Sequence, residues 1–249
     1  GLDKLAAVVL QKCHAKIFAL TTGSHFQSES KSVPPIADFL ADILQLIDEL
    51  PLQEPFVLVD NTFGSANPLL WPLRSRLAGA LVVNPFGIFS EEFMDSAAHK
   101  KLSDVLLARA VDRLRPERDV ENICDTLLSV WLSGTPEFLA ESRREWLDAV
   151  SACDEDFWYL ASAHCQWSPR EKTDALADLP LLDLETTIAS SSYGPTVLGD
   201  SARNLHKWLS KGQVAYIRDS KGWWEIENPK FVASELVNLL NRVMKKTQL

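Results

Sequence analysis

The sequence predicts an α/β fold built on a parallel sheet and interrupted by a helical insertion. Three observations carry this prediction. In the first third, short apolar runs alternate with amphipathic stretches of helical length. Residues 88–190 then become charge-rich, with interspersed aromatics and no obvious strand-like run. After Ser190-Ser191-Ser192 the alternation returns. Strands alternating with crossover helices are the mark of a parallel sheet.

Taken in order, residues 2–11 read as a helix, and KIFALT (16–21) as a buried strand ending in a polar turn. Residues 22–34 are rich in Ser, Gly and Pro and read as loop. A helix follows from Pro35 to Leu50, with apolar Ile36, Phe39, Leu40, Ile43, Leu44 and Ile47 on one face and Pro51 past its end. FVLV (56–59) is a strand, and 64–77 a helix kinked or broken at Pro72. ALVVN (80–84) is the next strand. Past the insertion, TVLG (196–199) reads as a strand, 202–211 as a helix, VAYIR (214–218) as a strand and 229–245 as a final helix. The expected domains are a core of 1–87 with 191–249, and a helical cap of 88–190.

Composition narrows the function classes. The 249 residues are 46% hydrophobic and 24% charged, in the ordinary globular range. Net charge is −9, against a nucleic-acid surface, which needs clustered Lys and Arg. No stretch of about 18 apolar residues exists, so no membrane span is expected. Cys13, Cys124, Cys153 and Cys165 form no CxxC pair and no zinc-spaced cluster; they read as buried free thiols, which favours a reducing compartment. No metal and no cofactor is expected.

Five segments, in order, carry a likeness to a known family. ALTTGSHFQS (19–28) sits like a D-x-P-G-H-G-x-S loop, with Gly23 on its Pro, Ser24 on its first Gly, His25 on its His and Ser28 on its Ser. FVLVDNTFGSA (56–66) has the strand–turn–helix shape of a nucleophile elbow. ALVVNP (80–85), PTVLGD (195–200) and GWWEIENP (222–229) match later strand and helix-opening segments. Together they resemble the α/β-hydrolase superfamily, in its cap-bearing, epoxide-hydrolase and esterase-like branch, over most of the chain outside the cap.

That resemblance implies a triad of Ser, acid and His in chain order, and here the triad is degenerate. The nucleophile falls on Thr62, with Asp60 and Gly64 at the flanking glycines. The acid falls near Ala202, with Asp200 two residues early. The histidine falls on Gly222 or Trp223, and no histidine follows His206. A β-branched threonine pays more than serine to occupy a strained turn. Asp60 puts a carboxylate where an oxyanion needs donors. Without a base near neutral pKa, a hydroxyl stays protonated.

The expected function is therefore a pseudoenzyme, serving as a structural or interaction subunit or binding a small apolar ligand, with Asp60, Asn61, Phe63 and Trp223 as ligand-binding candidates. The alternative is an active esterase, thioesterase or epoxide-hydrolase-like enzyme using Thr62, displaced Asp200, and His25 or His206 as base. The resemblance also implies a central strand between 16–21 and 56–60 for which the sequence offers no candidate. A partner or assembly filling that slot is one expectation, and a chain lacking N-terminal strands is the other.

Overall fold

The computed structural model describes residues 2–13, 15–18, 36–52, 55–61, 70–85, 134–151, 181–193, 196–222 and 224–247, with isolated positions between 92 and 132. Eleven elements are described: α1 (Leu2–Lys12), α2 (Ile36–Glu49), β1 (Phe56–Asn61), α3 (Leu70–Leu73), β2 (Leu77–Val83), α4 (Pro136–Ser151), β3 (Thr186–Ser191), α5 (Thr196–His206), β4 (Gly212–Ile217), α6 (Trp224–Glu227) and α7 (Pro229–Thr247). The four strands lie in the order β1-β2-β3-β4, each pair parallel.

Side chains alternate along each strand, so every strand feeds both faces of the sheet. On one face Ala80, Val82 and Ile188 meet Ile43 and Ile47 of α2 and Ala202 and Leu205 of α5. On the other, Leu81, Val83 and Ala189 meet Leu5 and Val9 of α1 and Val232, Ala233, Leu236 and Leu239 of α7. In α5 the apolar residues recur as Leu198, Ala202 and Leu205, one stripe of a 3.6-residue helix. Gly79 lets α7 approach closely. A Cβ there would meet Glu185 O at 2.9 Å and the Leu239 and Val243 side chains at 3.1 Å.

Helix starts follow local chemistry. Thr135 caps α4, its Oγ1 accepting Phe138 N–H, with Pro136 in the first turn. Asn228 plays the same part for α7: its Oδ1 accepts Phe231 N–H, and Pro229 follows. Arg76, in the turn between α3 and β2, pairs with Asp48 of α2 and lies over the Phe56 ring, tying α2 to the start of β1.

Four sequence expectations are corrected. TVLG (196–199) is the first turn of α5, not a strand, and the helix expected over 202–211 is α5 and ends at His206. The strand is TTIASS, Thr186–Ser191, all but its last residue inside the stretch read as cap. All six residues are buried, and β3 lies between two parallel neighbours, so small side chains suffice and no polar–apolar alternation advertises it. Of the helix expected over 64–77, residues 64–69 lie outside the described residues, and the described part, Leu70–Leu73, stops at Leu73; β2 begins at Leu77 with Leu77 in the core, earlier than expected. Residues 15–18 carry no strand, and 19–21 of that expected strand lie outside the described residues.

Candidate functional site at the C-terminal sheet edge

In an open parallel sheet, ligands bind beyond the carboxyl ends of the strands. Here that edge is formed by Asp60 and Asn61 of β1, Asn84 after β2, Ser191 and Ser192 at the end of β3, and 218–222 after β4. A buried polar network joins these ends. Asn84, fully buried, adopts φ 48°, the left-handed region that Asn tolerates better than most residues. Its N–H donates to Ala189 O at 2.7 Å. Its Oδ1 accepts Ser191 N–H at 2.7 Å, and its Nδ2 donates to Gly222 O at 2.8 Å.

Glu227 of α6 holds the loop after β4. Its carboxylate accepts Ser220 Oγ–H at 2.6 Å, Lys221 N–H at 3.0 Å and Gly222 N–H at 3.3 Å. Ser220 Oγ in turn lies 2.9 Å from Ser191 Oγ. Gly222 is thus held at both its N–H and its C=O, and Asp219 turns the chain with φ 56°. Trp224, two residues on, is fully buried in the α1–α7 core.

The expected site residues fare unequally. Asp60 is buried near the end of β1, on the same face as Leu58. Asn61 closes β1. Thr62, Phe63, Trp223 and His25 lie outside the described residues. Ala202 is a core residue of α5, and Asp200, one turn into that helix, is buried with its carboxylate 3.9 Å from Arg203. Neither is held on a loop beyond a strand, because the strand that precedes them is β3 and not TVLG.

His206 stands apart from the edge. It ends α5, and its Nε2 lies 3.1 Å from Gly212 O at the start of β4. In a parallel sheet the start of β4 and the end of β1 are opposite edges, separated by a strand length of roughly 15–20 Å. Asn84, Ser191, Ser220 and Glu227 were not singled out by sequence. Asn84 and Glu227 stand within the segments ALVVNP and GWWEIENP, whose likeness lies in their apolar residues.

No protein-family profile and no curated protein sequence matches this chain. Solved structures do. A thermophilic esterase aligns with TM-score 0.67 at 16% identity, over 96% of this chain and 86% of its own. An enol-lactonase from Burkholderia xenovorans LB400 aligns with TM-score 0.64 at 15% identity, over 88% of this chain and 78% of its own. A thermophilic esterase from Thermogutta terrifontis aligns with TM-score 0.59 at 17% identity, over 85% and 74%.

The chain has the α/β-hydrolase fold. Within it, the corrected strand boundaries move the triad positions that the resemblance implies. The acid position follows β3, which ends in Ser191; Ser192 and Tyr193 come next, and the first carboxylate after β3 is Asp200. The histidine position follows β4, which ends in Ile217, and residues 218–249 contain no histidine. The described residues hold no group of three or more His, Cys, Asp or Glu placed to bind a metal ion. No described helix is long and apolar enough to cross a membrane.

Proposed function

We propose that this α/β-hydrolase-fold chain is a pseudoenzyme: it does not run the Ser–acid–His reaction, and it uses the C-terminal edge to bind a small apolar ligand beneath its cap or to serve as a subunit of an assembly. One observation carries this reading. The last described strand ends at Ile217, and residues 218–249 contain no histidine. Residues 218–249 then supply no imidazole base, whatever register is chosen for the segment around Gly222. Asp60 points the same way, since a carboxylate beside the elbow opposes a developing oxyanion.

A second reading has its own support. The similar solved structures include two esterases and an enol-lactonase, so the fold is one that hosts hydrolysis. In that reading Thr62 is the nucleophile, Asp200 the acid and His25 or His206 the base.

Intact-mass analysis after incubation with a fluorophosphonate probe separates the two. An activated hydroxyl forms a covalent adduct, and Thr62→Ala abolishes it. The pseudoenzyme reading expects no adduct in either protein, and titration of an apolar fluorescent probe then asks whether the edge binds a ligand. A stoichiometric adduct that vanishes in Thr62→Ala overturns it.

A further inference from the structure

β4 lies at one edge of the four-stranded sheet, with β3 on its inner side. Thr186 N–H donates to Lys211 O, and Ser192 N–H to Ile217 O. With the two-residue strand period, residues 211, 213, 215 and 217 bond toward β3. Gly212, Val214 and Tyr216 therefore turn their N–H and C=O groups outward. Among the described residues no strand pairs with that side, and Gln213 and Tyr216 are exposed. An open row of backbone donors and acceptors is a template for another strand. Edges that avoid pairing carry an internal Lys, a Pro or a bulge. GQVAYI has no Lys or Pro, and its register against β3 is unbroken.

We propose that β4 pairs with β4 of a second copy of this chain, antiparallel and centred on Val214, so that two sheets join across a two-fold axis. Only an outward-bonding residue can sit on that axis in directly bonded register, and Val214 is the central one. The sequence is self-complementary in this register. Val214 meets its own copy, Gly212 faces the second copy's Tyr216, Lys211 faces Ile217, and Ser210 faces Arg218. No like charges stand directly opposite, which would be destabilising.

Charge is complementary as well. Asp183 accepts Ser210 Oγ–H at 3.0 Å and pairs with Lys211 Nζ at 2.7 Å. The second copy's Arg218, opposite Ser210, enters this acidic position, and symmetry repeats the contact. Gly212 O already takes the His206 ring, and its second lone pair receives the second copy's Tyr216 N–H. Six paired residues a side make a small interface, which puts the dissociation constant in about the micromolar range.

Sedimentation equilibrium tests this, run from about 1 to about 100 µM to bracket that range. The expected result is a mass rising with concentration toward twice the 27.8 kDa of one chain. Tyr216→Lys, at an exposed position, and Arg218→Glu each weaken association by about tenfold or more. Hydrogen exchange gives an independent readout, with the Val214 and Tyr216 amides slowing as concentration rises. A 27.8 kDa species across the whole range overturns the proposal. So does a dimer indifferent to Tyr216→Lys whose Val214 and Tyr216 amides exchange at concentration-independent rates.

Discussion

Asn84 joins three chain segments with one amide: the end of β2 that bears it, the Ser191 backbone of β3 and the Gly222 carbonyl beyond β4. All of this is buried, so water cannot replace a lost partner. Asn84→Ala leaves a buried N–H and a buried C=O unsatisfied and puts alanine at positive φ. The expected cost is about 2–4 kcal/mol in denaturant unfolding, combining both unpaired groups. Asn84→Gly relieves the backbone strain but not the lost bonds, so it falls between wild type and alanine. Equal stability of wild type and Asn84→Ala would remove this residue from the account. Sequence reading touched Asn84 only as part of ALVVNP, because a single buried amide leaves no periodic trace.

At the scale of elements, legibility followed side-chain size. FVLV and ALVV declare themselves through bulky apolar residues that fill both faces of the sheet. TTIASS does not, because β3 lies between β2 and β4 and is buried by small and hydroxylated residues. Thr187 even lends its Oγ1 to Arg242 of α7 at 2.7 Å. Once β3 is missed, the next apolar residues, Thr196–Gly199, take the strand's place in the pattern, and the inferred acid position slides onto a helix. A helix start was more readable, since the helix expected from Pro229 opens there behind the capping Asn228. Asn228→Ala removes the cap of α7 and is expected to cost about 1 kcal/mol, read as a lowered unfolding midpoint at unchanged m-value.

A pH effect belongs to α4. Arg143 donates to Asp125 Oδ1 at 2.6 Å and to Glu121 Oε2 at 2.9 Å, tying α4 to the preceding segment. The hydrogen bond from Arg143 holds the Asp125 carboxyl below its ordinary 3.8. A depressed carboxyl contributes stability above its unfolded pKa and loses it as pH falls through the lower folded value. The stability difference between wild type and Asp125→Asn is therefore expected near neutral pH and should vanish in acid, below the ordinary carboxylate range. A difference that grows on acidification would contradict the assignment. Both carboxylates are exposed, so the effect is small and screened by salt.

For the whole molecule, the fold was readable from the order of five modest matches, and the solved structures agree at 13–17% identity. The site was less readable, because its chemistry depends on which residues follow which strand, and one strand was misplaced. That correction leaves one feature of chain order in place: β4 ends at Ile217, and residues 218–249 contain no histidine. The most direct test is turnover of a short-chain p-nitrophenyl ester by purified wild type and Thr62→Ala at neutral pH. The account predicts equal rates for the two proteins, both at the level of buffer. A wild-type rate about a thousandfold or more above that of Thr62→Ala, the scale on which losing a catalytic nucleophile acts, would contradict it.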